Sequence, residues 1–182
     1  MEEDLFTLYS SRYIQSSYQR MALEITKFGL NDLCFIAILK GGSFVLGNVL
    51  RYLSIDESTI FGNIRIRSYK GESTKSSGQV ELCDHLDLEK KDVEHRYVWL
   101  VDDIIDTGLT ASFVKNYLQA FNPAGIRTCT LVDKPMNHIN RPAAKPEVSG
   151  FEYLGDRFLV GCGLGFGERF RGLKQVYEYL KI

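Results

Sequence analysis

The sequence predicts an α/β fold: a mainly parallel, twisted sheet flanked by helices. Two observations carry this. The runs Leu33 to Leu39 and Tyr97 to Val101 are unbroken apolar stretches rich in β-branched and aromatic residues, the pattern of strands buried on both faces. Segments with helical spacing alternate with these runs, which favours a sheet covered on both sides.

The elements follow in order. The first residues, MEEDLFTLYSS, are acidic and lack a signal-peptide core; they are free to add a strand or pack on a neighbour. Over residues 12 to 28, Ile14, Tyr18, Met21, Ala22, Ile25 and Phe28 share one helical face. Ser10 or Ser11 suits its start and Gly29 its end. After the strand Leu33 to Leu39 comes Lys40-Gly41-Gly42-Ser43, read as a turn, and then the helical pattern FVLGNVLRYL. Ile60 to Tyr69 alternates as a strand exposed on one face. Lys70 to Gly78 is a polar loop, and a short return strand is expected within Val80 to Leu88. A charged connector, Leu88 to Arg96, leads into the strand at Tyr97. From Ala111, Phe113, Val114, Tyr117, Leu118 and Phe121 form a helix face that ends at Asn122-Pro123-Ala124-Gly125. Arg127 to Val132 is the next strand and delivers Asp133-Lys134-Pro135. Met136 to Val148 reads as a loop, with His138 a surface residue. Phe151 to Tyr153 and Phe158 to Gly161 are short apolar segments.

Composition narrows the class. The chain has 182 residues with 45% hydrophobic and 12% aromatic content, enough for one domain with a real core. A formal net charge of −1 argues against a general nucleic-acid surface but not against a local basic pocket for phosphates. Cys34, Cys83, Cys129 and Cys162 form no Cys-x-x-Cys pair. Buried free thiols in a reducing cytoplasm are therefore expected rather than a zinc site. No apolar run reaches the length of a membrane span.

The chemistry concentrates where strands end. After Val101 come Asp102 and Asp103, then Ile104-Ile105, then the turn Asp106-Thr107-Gly108 at the start of a helix. Ligands bind beyond the carboxyl ends of strands in open α/β sheets, and turn amides at a helix N-terminus suit a phosphate. Two carboxylates beside such a cradle make sense if they hold sugar hydroxyls or an Mg²⁺ ion. The Lys40-Gly41-Gly42 junction is a second anion-ready turn, although a tight turn needing glycine explains it equally well locally.

The stretch Asp102-Asp103-Ile104-Ile105-Asp106-Thr107-Gly108-Leu109-Thr110 resembles the phosphoribosyl-pyrophosphate (PRPP) signature of type I phosphoribosyltransferases, and is closest to the hypoxanthine-guanine phosphoribosyltransferases. Leu39-Lys40-Gly41-Gly42 is similar to that family's pyrophosphate loop, and the resemblance runs over about residues 12 to 180. It implies a small hood over the strand C-terminal ends, formed mainly by the last third of the chain. It further implies transfer of the 5-phosphoribosyl group of PRPP to N9 of a 6-oxopurine, Mg²⁺ as cofactor, and a homodimer or homotetramer.

Residue by residue, the resemblance implies that Asp102 and Asp103 face the ribose and its metal. Asp106, Thr107, Gly108, Leu109 and Thr110 would form the 5′-phosphate loop, with Asp106 also the general base at purine N7. Lys40, Gly41 and Arg171 would meet pyrophosphate. Lys134 would donate to purine O6, Phe158 would stack on the base and the Leu159 backbone would meet its edge. Ser68 and Tyr69 would start a flexible loop that closes over PRPP. The Leu39–Lys40 peptide is expected to be cis. Three positions depart from the family pattern. Asp102 stands where relatives more often have Glu. Leu109 stands where many relatives have Lys, and Gly165 where relatives usually carry an Asp; Glu168 is the nearest carboxylate that could stand in for it. These departures leave two other readings open, a non-catalytic PRPP-fold regulatory protein and a phosphoribosyltransferase for another base.

Overall fold

The computed structural model describes residues 4–29, 31–70, 76–138 and 145–181, with side chains left undescribed at 67–70 and 76–80. Six strands form the main sheet: β2 (Leu33–Leu39), β3 (Ile60–Lys70), β4 (Ser76–Asp84), β5 (Tyr97–Ile105), β6 (Gly125–Asp133) and β7 (Val148–Glu152). Their order is β4-β3-β2-β5-β6-β7, and β4 alone runs antiparallel to its neighbour. A second sheet of three antiparallel strands joins β1 (Leu5–Tyr9) to β9 (Val176–Tyr179) and β9 to β8 (Phe158–Val160).

The unbroken apolar runs have a simple cause. Successive residues of β2 and β5 point to opposite faces, and both faces are covered. Phe35, Ala37, Trp99 and Val101 pack in one core with α1 (Ser11–Lys27) and α2 (Gly41–Leu50). Cys34, Ile36, Ile38, Val98 and Leu100 pack in the other with Ala111, Val114 and Leu118 of α4 (Leu109–Leu118). Helix α1 starts where its sequence says it should: Ser10 Oγ accepts from the Tyr13 amide at 3.3 Å. Gly29 beyond its end has φ +89°.

Several boundaries differ from expectation. Helix α2 begins at Gly41, so the two glycines form its first turn rather than a loop before it. The return strand β4 begins at Ser76 instead of Val80, because ladder hydrogen bonds to β3 recruit a Gly/Ser-rich segment that has no alternation of its own. The charged connector contains a helical turn, α3 (Lys90–Val93), closed by a capping box between Glu89 and Asp92. Strand β5 runs on through the acids to Ile105.

Strand order creates the site. The chain leaves β2 toward β3 on one side and returns to β5 on the other, so the crevice between the β2 and β5 ends is the switch point of the sheet. The small sheet and the tail beyond it lie over these ends. Glu168 meets Lys40 after β2, Arg171 meets Asp103 on β5, and the Arg157 carbonyl meets Lys134 after β6.

Candidate active site

The junction after β2 and the acids of β5 pack against each other. The Leu39–Lys40 peptide is cis, as expected. A Cβ on Gly41 would run into the Asp103 carboxylate, and one on Gly42 would run into the Val101 carbonyl. Glycine at both positions is therefore a requirement of close approach between helix and strand.

Asp102 is buried and Asp103 nearly so. Burial pushes the Asp102 carboxyl well above the ordinary carboxylate range, and the neighbouring Asp103 pushes it further. Burial raises Asp103 too, opposed by Asp102's hydrogen bond and by the Arg171 guanidinium, whose Nη1 lies 3.7 Å from Asp103 Oδ2. The local amides of Asp103 and Ile104 also serve the pair, at 2.9 and 3.0 Å. Two carboxylates buried or nearly so, with the Arg171 guanidinium nearby, are a donor set that could hold a divalent cation. Among the described residues no third metal-ligating side chain joins them.

The next turn presents donors. Gly108 is the N-cap of α4 at φ +76° and has no side chain with which to cap it; the Leu109 amide reaches Thr107 Oγ1 at 3.4 Å. The amides that follow in the first turn of α4 suit an anion. Asp106 is exposed at this turn, where it accepts a hydrogen bond from Asn137 Nδ2.

Register brings the second half of the site alongside. Ile105 pairs with Asp133, so Asp106 and Lys134 leave neighbouring strand ends together, and the Lys134 amide donates to the Ile105 carbonyl at 2.9 Å. Lys134 is only 7% exposed, which for a lysine demands partners. Its Nζ donates to the Arg157 carbonyl at 3.1 Å and lies 5.4 Å from the centre of the Tyr153 ring. Tyr153 in turn donates to Glu178 Oε1 at 2.6 Å. Phe158 and Leu159 open β8, and the Phe158 ring meets Phe166 edge-on at 5.7 Å. Strand β8 lies beside β9, which carries Glu178.

Arg171 folds back over Gly165. Its Nη1 donates to the Gly163 carbonyl at 2.6 Å, while its Nε is buried without a hydrogen-bond partner. A Cβ at Gly165 would sit 2.8 Å from Arg171 Cζ, so this glycine is what admits the guanidinium. Glu168 Oε2 is 2.8 Å from Lys40 Nζ. Gly165→Asp is expected to cost about 1.5–3 kcal/mol, the scale of one hydrogen bond to a charged group. The loss follows from displacing the Arg171 fork, and thermal unfolding measures it.

Other sequence expectations stand as follows. Ser68 and Tyr69 belong to the backbone of β3, but their side chains and residues 71–75 lie outside the described residues. His138, expected at the surface, is buried at 8% exposure beneath the Lys134 turn; Asp133 and the Ile105 carbonyl receive it. Asn137, Tyr153 and Glu178 had no signal in the sequence, since each gains meaning only from a distant partner. Cys34 and Cys129 are buried, Cys162 is half-buried and Cys83 exposed, and all four are free. Among the described residues no helix is long and apolar enough to cross a membrane.

A parallel sheet whose central strand ends in paired acids and then a helix-capped anion turn defines the phosphoribosyl transferase domain, and the model of that domain family matches residues 10–163. Hypoxanthine-guanine phosphoribosyltransferase of Aquifex aeolicus is 36% identical over 142 residues, 78% of this chain and 75% of that protein. The enzyme of the same name from Bacillus subtilis is 32% identical over 170 residues, 93% and 89% of the two chains. The crystal structure of a hypoxanthine phosphoribosyltransferase from Staphylococcus aureus superposes with a TM-score of 0.85 at 26% identity, covering 100% of this chain and 94% of that one. The chain belongs to the hypoxanthine-guanine phosphoribosyltransferase family.

Proposed function

We propose that this chain is a purine-salvage enzyme that transfers the 5-phosphoribosyl group of PRPP to N9 of hypoxanthine or guanine, releasing IMP or GMP and pyrophosphate. The observation that carries the reading is the β5–β6 register, which sets Asp106 and Lys134 side by side within one crevice shared with Asp102 and Asp103.

In this reading the α4 turn, Asp106 to Thr110, receives the 5′-phosphate on its amides and hydroxyls. Lys40, the Gly41 backbone and Arg171 hold pyrophosphate, and the unpartnered Arg171 Nε supplies one donor. Asp102 and Asp103 hold the ribose hydroxyls and Mg²⁺; when bound, the metal neutralises charge on the departing pyrophosphate. Phe158 stacks on the purine, and Leu159 meets its edge. Lys134 donates to O6, and Asp106 accepts the N7 proton while N9 attacks C1. The whole chain acts as one domain, with β1 joining the last third in the hood. Its free cysteines fit a cytoplasmic enzyme, and the family relationship supports a homodimer or homotetramer.

The test is nucleotide formation from PRPP and Mg²⁺ with hypoxanthine, guanine, xanthine and adenine in parallel. IMP and GMP are expected, and adenine should be rejected because it offers Lys134 a donor instead of an acceptor. Absence of product with every base, while PRPP binds, would overturn the reading and favour a regulatory PRPP-binding protein. Lys134→Met should lower kcat/KM for hypoxanthine by roughly 10- to 100-fold, the range of one charged hydrogen bond, and narrow its advantage over adenine.

A further inference from the structure

Asp106 is an exposed carboxylate at the end of β5, and its orientation is set by a partner. Asn137 Nδ2 donates to Asp106 Oδ1. Asn137 ends a short 3₁₀ turn, Pro135–Asn137, that begins immediately after Lys134. The turn is closed by Asn137 N to the Lys134 carbonyl at 3.0 Å and by His138 N to the Pro135 carbonyl at 3.1 Å. Beneath it, His138 Nε2 lies 3.3 Å from Asp133 Oδ1 and 3.4 Å from the Ile105 carbonyl. The Lys134 amide binds the same Ile105 carbonyl. The end of β5 and the end of β6 are therefore tied three times within a few residues: by the Lys134 amide, by His138 and by Asn137.

We propose that Asn137 is a positioning residue for Asp106, and that the 135–138 turn, pinned from below by His138, fixes the spacing between Asp106 and Lys134 at the purine. The inference rests on the reading above, in which Asp106 takes the N7 proton. Its chemistry is specific. An amide donor does not ionise in the working pH range, so it occupies Oδ1 at all such pH values and leaves Oδ2 for the proton. A carboxylate at position 137 would preserve the shape of the turn but place a second negative charge on Asp106. A purine is gripped at two atoms, N7 and O6, so an error in the Asp106-to-Lys134 spacing affects the geometry of attack more than binding of the phosphates.

The decisive comparison is Asn137→Asp with Asn137→Ala. Both are expected to lower kcat with hypoxanthine about tenfold or more while the KM for PRPP stays within about threefold, the pattern of an interaction used in the transition state. In Asn137→Asp, the acid limb of the pH–rate profile should also move to higher pH, because the added carboxylate disfavours the ionised base. A residue that merely shaped the turn would be replaced by the isosteric Asp without loss. NMR of ¹⁵N-labelled protein reads the contact without turnover: the Asn137 side-chain amide signals should move, and exchange faster with water, in Asp106→Ala. An unmoved amide would overturn the proposal whatever the activity. Wild-type transfer with unaltered kinetics and pH profile in Asn137→Asp would overturn the positioning role alone. Absence of transfer in the wild type would overturn the reading on which it rests, and the positioning role with it.

Discussion

Asp106→Asn should lower kcat by about 10²- to 10⁴-fold, the range supplied by a positioned general base, with KM for PRPP and hypoxanthine within a few-fold of wild type. The substitution is nearly isosteric, and the Asn carbonyl still accepts from Asn137 Nδ2, so the turn before α4 keeps its shape. What disappears is an oxygen able to receive a proton. A carboxylate beside the N-terminus of α4 repels a phosphate bound there, so Asp106 adds nothing to phosphate binding itself. Steady-state kinetics with each substrate varied in turn measures the effect; a kcat within threefold of wild type would remove Asp106 from the mechanism.

Asp102→Asn should stabilise the ligand-free protein while lowering kcat/KM roughly 10- to 100-fold, the scale of one lost charged hydrogen bond. Burial first, and then the Asp103 charge, hold the Asp102 carboxyl well above its ordinary range. The folded state therefore retains a proton that the unfolded chain has released. Below about pH 4, the ordinary carboxylate value, both states are protonated and the group contributes nothing to the pH dependence. As pH rises beyond that, the unfolded state binds fewer protons than the folded one, and the contribution of Asp102 to stability falls. The neutral amide removes this penalty. A gain of about 1–3 kcal/mol at pH 7.5 follows from the cost of buried, incompletely compensated charge, equivalent to several degrees in Tm for a chain of this size. Thermal unfolding between pH 4.5 and 8 checks the sign. A variant less stable than wild type at pH 7.5, with an unchanged slope against pH, would show that the pair is already compensated.

The parts legible beforehand share one physical property, which is that their determinants lie within a few residues of each other. Strand β2 was readable to its bounds, Leu33–Leu39, because burial on both faces leaves an unbroken apolar run. The start of α1 was readable from the Ser10 cap, and the anion turn from three Asp and a Gly packed into the end of one strand. Strand β4 extends beyond its sequence signal: Ser76 to Gly78 carries no alternation, and only pairing with β3 makes it a strand. The polar neighbours of His138 point to the surface, yet the ends of β5 and β6 enclose it, with Asp133 Oδ1 at 3.3 Å and the Ile105 carbonyl at 3.4 Å from Nε2.

From local pattern alone the sequence determined the class of the fold, the ends of its central strands and the kind of chemistry gathered there. Only the tertiary structure decided which ends meet. The order β4-β3-β2-β5-β6-β7 puts the Lys40 turn against Asp103, the β5–β6 register puts Asp106 beside Lys134, and the returning tail lays Arg171 across Gly165 onto Asp103. Side-chain period and turn chemistry are properties of neighbouring residues. Strand order, register and the burial of a charge depend on segments tens of residues away, and the free energy that selects them appears only when those segments pack.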